Sequence, residues 1–209
     1  MTTKSSPTTP FLKHLLISLW LMPRLGFKGC KMPILEEQDL QINCIDVVHA
    51  LKFDQQDKDH PEYHDIPNMP RVDFIIETDD SIYFIEVKDP GRPDAVDVGG
   101  KAFLKKVVDG TLIASLIEKY VFSFFFRWAE KQLEKSVHYV FLVTLESALL
   151  QPIIDEFERL FAGRLPNTSS RWQRYPLASW QVHNLETWNS VFPNWPITRL
   201  SAAATPQGD

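Results

Sequence analysis

Apolar and polar positions alternate most clearly between Arg71 and Pro90. Two β-branched and aromatic runs flank Thr78-Asp79-Asp80-Ser81, which predicts two strands joined by a short polar turn. With a period of two, Ile82, Phe84, Glu86 and Lys88 share one face of the second strand, and Tyr83, Ile85 and Val87 the other. On the first strand Asp73, Ile75 and Glu77 lie together. If the turn is symmetric about Asp79-Asp80, Asp73 sits directly opposite Glu86. Two-residue and four-residue loops give the same register.

The remaining pattern fills in around this hairpin. Leu35 to Ala50 is ambiguous: Glu36-Glu37-Gln38-Asp39 has the composition of a helix entry, whereas Leu40, Ile42 and Cys44 alternate as a strand would. Asp54 to Asn68 is a polar loop. Pro90 and Pro93 force a sharp exit from the second strand, with a loop over 94–100. Phe103, Val107, Leu112, Leu116 and Tyr120 recur at helical spacing, predicting one long helix or two over Ala102 to Leu133, with Gly110 as the break. Val137 to Leu145 is the continuous apolar run of a strand buried on both faces. Ser147 is the expected cap of a helix over Ala148 to Ala162, ended by Gly163. Trp180 to Leu185 reads as the last strand. Trp188, Phe192 and Trp195 read as a cover over the core, and Ser201 to Asp209 as a frayed tail. The order hairpin, helix, strand, helix predicts an α/β protein: an α/β/α sandwich around a central mixed sheet.

Length and composition fit one domain with extensions: a 1–31 N-terminal extension, a 32–200 domain and a 201–209 tail, in 209 residues with 44% hydrophobic content. Met1 to Pro10 has the composition of a disordered start. Phe11 to Met22 is too short for a membrane span and reads as an amphipathic helix packed on the domain or on a partner; Met32 is an alternative start. The net charge of −5 argues against broad charge-driven binding to nucleic acid, so a phosphate-binding surface has to be local or completed by a metal or a partner. Cys30 and Cys44 have no metal spacing, which points to a reduced, cytoplasmic setting. His60 and His64 stand four apart, but Pro61 and Pro67 remove the helix that would give that spacing a metal-binding meaning. The loop holding Arg164, Arg171, Arg174, Trp172 and Tyr175 is the most basic and aromatic in the chain and is a weaker candidate for nucleic-acid contact.

The chemistry concentrates in the hairpin. Carboxylates that face each other across a ladder repel and cost stability. A divalent cation between them removes that cost, and hard cations such as Mg²⁺ take carboxylate oxygens and water. A lysine two residues along the same face can orient or deprotonate a water molecule, or stabilise negative charge developing at phosphorus. Asp73, then Glu86-Val87-Lys88, with twelve residues between the acids, resembles the PD-(D/E)XK nuclease superfamily, the restriction-endonuclease-like fold. Val72 stands where that pattern has proline, with Pro70 close by. The resemblance implies Asp73 and Glu86 as ligands of Mg²⁺, with Mn²⁺ as a substitute, the main-chain carbonyl of Val87 as a further ligand, and Lys88 serving the attacking water.

Arg92, Lys101 and Lys105 are the candidate phosphate contacts. The family core begins with a helix bearing an acid; Glu36, Glu37 and Asp46 are candidates, and the sequence does not choose among them. No Gln-x3-Tyr pattern occurs, which argues against the RecB-like branch. The expected activity is Mg²⁺-dependent endo- or exonucleolytic hydrolysis of nucleic acid, DNA foremost, in restriction, phage defence or repair. Targeting would come from homodimerisation or a partner protein, with no membrane involved. The competing expectation is a catalytically silent nuclease-like fold used as an assembly or binding module.

Overall fold

A five-stranded mixed sheet, flanked by helices, organises the protein. The computed structural model describes residues 32–92, 101–164 and 169–203. The expectations for Phe11 to Met22, Cys30, the loop over 94–100 and most of the tail lie outside the described residues. The chain divides into Met1–Lys31 and Met32–Asp209, and the described elements belong to the second unit.

The hairpin forms as the alternation requires. β4 (Phe74–Glu77) pairs antiparallel with β5 (Ser81–Lys88), and Phe74 stands opposite Ile85. Extending that register by one residue sets Asp73 across from Glu86. β3 (His49–Lys52) adds antiparallel to β4. On the other side β6 (Ser136–Val143) and β7 (Ser179–His183) add in parallel, giving the order β3-β4-β5-β6-β7. The parallel half is reached through helices α1 (Lys101–Val108), α2 (Thr111–Ala129) and α3 (Leu150–Arg164). Gly110 separates α1 from α2 with φ 74°, a left-handed backbone that glycine adopts without a Cβ penalty.

The two faces of the sheet carry separate cores. Ile75, Phe84, Tyr139 and Phe141 point to the face covered by α1, α2 and α3, where they meet Leu116, Tyr120, Ile153 and Phe157. Phe74, Ile76, Ile85, Val140 and Leu142 point to the other face. β6 therefore buries both sides, as its unbroken apolar run demands.

The second face departs from the simple helical layer expected of the sandwich. It is covered by α4 (Leu185–Val191) and by a separate antiparallel sheet in the order β1-β2-β8, formed by β1 (Ile34–Glu37), β2 (Leu40–Asn43) and β8 (Ile197–Arg199). Trp188 is fully buried there and donates its indole N–H to the Trp195 carbonyl at 2.7 Å. The cover read for Trp188, Phe192 and Trp195 is thus present.

Other local expectations are corrected. Glu36-Glu37-Gln38-Asp39 opens no helix. It is the end of β1 and a tight turn into β2, with Gln38 at φ 56°. β7 is not the last strand, because β8 follows it and Leu185 already belongs to α4. Ser147 does not cap α3; it begins a 3-10 turn (Ser147–Leu149), and its hydroxyl accepts from Asn184 Nδ2 at 3.0 Å. Ser201 is not frayed. It lies in α5 (Leu200–Ala203), where both its N–H and its hydroxyl donate to Asp39, at 2.8 and 2.6 Å.

α2 is fixed on the sheet by two polar contacts as well as by its apolar face. Tyr139 Oη donates to the Leu116 carbonyl at 3.1 Å, and the Val72 N–H donates to Ser123 Oγ at 3.0 Å. Both groups of the second pair are buried. Replacing Ser123→Val should strand a buried N–H at a cost of about 1–3 kcal/mol. A lowered urea midpoint with an unchanged slope checks this, and an unchanged midpoint contradicts it.

Candidate active site

Asp73 precedes β4 by one residue. Its carbonyl accepts from the N–H groups of Phe53 at 2.8 Å and Asp54 at 3.3 Å, which continue the β3 edge. Its side chain turns to the helix-covered face and is almost fully buried. Glu86 sits in the middle of β5, between Phe84 and Lys88 on that same face, and its carboxylate has no solvent exposure. Lys88 is the last residue of β5 and is one-third exposed. The alternation of the strand thus puts all three sequence-predicted residues together.

The contacts are short. Asp73 Oδ2 accepts the Val87 N–H at 2.7 Å. Because N–H and C=O of one strand residue leave the chain on the same side, the Val87 carbonyl also faces the Asp73 edge. Lys88 Nζ donates to Glu86 Oε1 at 2.6 Å.

A fourth residue, missed by the sequence reading, completes the group. Lys119 of α2 donates to the same Glu86 Oε1 at 2.6 Å and stands 3.6 Å from Asp73 Oδ1. Among the described residues, Glu86 Oε2 is buried with no hydrogen-bond partner. The sequence carried no more than a partial signal for Lys119. α2 is apolar nearly all round, and Glu118, Lys119 and Arg127 are its only charged residues. Lys119 flanks the inward stripe of Leu116, Tyr120 and Ser123, but Arg127 continues that stripe and is buried, so the pattern alone does not single out Lys119.

The charges perturb one another as burial in a low dielectric requires. Asp73 is raised from 3.8 to about 7, first by desolvation and then by the neighbouring Glu86 charge; Lys119, Lys88 and the Val87 N–H offset only part of this. Burial works to lower Lys119, but Glu86 and Asp73 outweigh it and hold its ammonium above the ordinary value. The Tyr139 phenol, buried beside them, is driven well above its usual range by desolvation and then by both carboxylates.

The strand end that carries Lys88 is anchored. Asp89 is buried and accepts two hydrogen bonds from Arg199, each 2.9 Å, and one from Thr144 Oγ1. Arg199 also pairs with Asp39 at 3.1 Å. A Cβ on Gly91 would lie 2.6 Å from the Thr144 carbonyl oxygen, so the turn leaving β5 has room only for glycine.

The other candidates lie elsewhere. Arg92 is half-buried just after this turn, and its N–H reaches the Asp89 carbonyl at 3.5 Å. Lys101 and Lys105 are exposed on α1 and form no ion pair with Asp73 or Glu86. Glu36 is exposed, Glu37 pairs with Lys52 at 2.7 Å, and Asp46 is exposed with φ 56°. None of the three joins the two carboxylates. His60 Nδ1 and His64 Nδ1 accept the N–H groups of Glu62 and Ile66, so both rings brace the loop over 54–70. Cys44 is buried, which pushes its thiol up to about 12.

Arg171, Trp172 and Tyr175 are exposed, and Arg174 donates to the Leu133 carbonyl. Their loop leads into the start of β7, at the sheet end opposite the C-terminal end of β5. A cavity of about 530 Å³ lined by Glu134, Lys135, Arg174, Tyr175 and Leu177 lies at that far end.

Among the described residues, no group of three or more His, Cys, Asp or Glu side chains is placed to hold a metal ion. A cation between Asp73 and Glu86 would therefore have two carboxylates and the Val87 carbonyl as protein donors, with water or substrate supplying the rest. Hard oxygen donors and the orphaned Glu86 Oε2 fit Mg²⁺ or Mn²⁺. No family model, curated protein or solved structure matches the chain.

Folding raises the Asp73 carboxyl from 3.8 to about 7, so the folded chain holds that proton more tightly than the unfolded one. Asp73 consequently erodes metal-free stability as the pH climbs from about 4 to about 7, and the full loss persists above. Asp73→Asn, which keeps an acceptor for the Val87 N–H, should be more stable than the wild type at pH 8 without metal, by on the order of 2–4 kcal/mol. Thermal melts at pH 4 and pH 8 check this; a variant less stable than the wild type at pH 8 contradicts it.

Proposed function

We propose that this protein is a divalent-metal-dependent nuclease that hydrolyses phosphodiester bonds, with DNA as the foremost substrate. The observation that carries the reading is the buried pair Asp73 and Glu86 beneath Lys88, with Glu86 Oε2 left unpaired. The resemblance of Asp73 and Glu86-Val87-Lys88 to the PD-(D/E)XK superfamily supports it, as does the mixed sheet whose antiparallel hairpin carries these residues.

Asp73, Glu86 and the Val87 carbonyl would hold Mg²⁺, with Mn²⁺ as a substitute. When bound, such an ion supplies Lewis-acid polarisation of a phosphoryl oxygen and acidifies water. The chain's own residues do the rest. The Lys88 ammonium, exposed at the end of β5, stabilises the negative oxygen of the attacking water as its proton leaves to solvent. The water oxygen bonds to phosphorus, one ester P–O bond breaks, and the departing alkoxide takes a proton from solvent. The products are a phosphate monoester and an alcohol. Arg92, Lys101 and Lys105 would contact the flanking phosphates, the two lysines from the exposed side of α1. The net charge of −5 leaves targeting to a homodimer or a partner protein.

A second reading is favoured by two observations. Lys88 and Lys119 already neutralise the two carboxylates without an ion. In addition, Val121, Phe122, Phe125 and Trp128 form an exposed apolar stripe on α2. Both suit a nuclease-like fold used only as an assembly module.

The discriminating experiment incubates plasmid DNA, linear DNA and RNA with Mg²⁺ or Mn²⁺ and the wild type, Asp73→Ala and Lys88→Ala. The nuclease reading expects cleavage by the wild type and a loss of at least about 100-fold in each variant. No cleavage of any substrate together with no bound Mn²⁺ selects the assembly module.

A further inference from the structure

We infer that Lys119 is the cationic place-holder of this site and, once a divalent ion takes its place, the residue that binds the scissile phosphate. The inference rests on the nuclease reading and assigns a role to a residue outside the Asp73, Glu86, Lys88 pattern.

The geometry separates the two lysines. Both donate to Glu86 Oε1 at 2.6 Å. Only Lys119 also forms an ion pair with Asp73, at 3.6 Å. It therefore occupies the space between the carboxylates, which is where a bridging cation has to sit. Lys88 reaches Glu86 from two residues along the same strand. It can keep its place beside the ion, whereas Lys119 cannot.

The helix that delivers Lys119 is held rigidly. The Leu116 carbonyl is bonded by Tyr139 Oη at 3.1 Å, three residues before it. Ser123 Oγ is bonded by the Val72 N–H at 3.0 Å, four residues after it. Val72 adjoins Asp73, so this last bond sets the register of α2 on the strand that carries the first carboxylate. Displacing the ammonium therefore moves the end of a flexible side chain, not the helix. Its side chain is one-fifth exposed, so the head group has a route toward solvent and an incoming strand.

Charge counting explains why a second lysine is useful. Two carboxylates and two ammonium groups sum to zero, which suits a buried site without metal. Adding a divalent ion leaves +2, and a phosphodiester with an attacking hydroxide carries −2. With Lys88 alone, the metal-loaded site would fall one positive charge short of its reactants. A pre-placed ammonium that gains a phosphate partner during reaction stabilises the transition state more than the free site.

The test measures Mn²⁺ affinity by electron paramagnetic resonance, and cleavage at saturating Mn²⁺, for the wild type, Lys119→Met, Lys119→Arg and Lys88→Met. Circular dichroism melts confirm that each variant is folded. Lys119→Met should bind Mn²⁺ about tenfold or more tightly, because no cation competes, yet cleave at least about 100-fold more slowly with a raised KM for DNA. Lys119→Arg should recover part of the rate, and Lys88→Met should lose rate with a smaller gain in Mn²⁺ affinity.

Unchanged cleavage by Lys119→Met, or unchanged Mn²⁺ affinity, overturns the inference and leaves Lys119 a structural counter-ion. If Lys119→Met does not fold, the arginine variant decides: full loss of cleavage with Mn²⁺ still bound overturns the phosphate role. Failure of the wild type to bind Mn²⁺ instead overturns the nuclease reading, and the inference falls with it.

Discussion

Two carboxylates face each other across β4 and β5 inside a hydrophobic layer, and the local structure has to answer that repulsion. An isolated buried charge costs several kcal/mol, and two of like sign cost more. The chain answers with two ammonium groups on a single oxygen of Glu86, one backbone N–H on Asp73, and a proton held by Asp73 to about pH 7. One oxygen of Glu86 has no partner among the described residues. With both acids ionised the two ammonium groups balance them, yet the unpaired Glu86 oxygen leaves the group incompletely hydrogen-bonded.

The rest of the architecture holds these groups still. Phe74, Ile76, Ile85 and Val87 bury one face of the hairpin while Ile75, Ile82 and Phe84 bury the other. A one-residue slip of either strand would send its side chains into the wrong core and separate the acids. The small sheet contributes Arg199, whose two bonds to Asp89 fix the chain directly after Lys88. Ser123 and Tyr139 fix α2, and with it Lys119. Both ends of the site are thus tied to elements distant in sequence, which suits a rigid constellation more than a loop-borne one.

Much of this was legible in the chain because the period of two is a strong signal. It placed Asp73, Glu86 and Lys88 on one face, and the symmetric turn supplied the register that Phe74 and Ile85 confirm. The break at Gly110 and the doubly buried β6 followed from equally plain patterns. Lys119 did not, because its partners lie 33 and 46 positions away in sequence and helix periodicity says nothing about what a helix faces. The hairpin of β1 and β2 was obscured by Glu36-Glu37-Gln38-Asp39, whose acids mimic a helix entry while Gln38 in fact makes the turn. β8, only three residues long, left no pattern to read. Its pairing with β2 is decided by tertiary contact alone.

The proposed activity requires a cation between Asp73 and Glu86. Crystals grown with Mn²⁺ and measured at a wavelength where manganese scatters anomalously test that directly. One anomalous peak is expected at roughly 2.0–2.3 Å from oxygens of both carboxylates, with the Lys119 ammonium moved off Asp73. No peak at saturating Mn²⁺, with Lys119 still bridging the two acids, would contradict it.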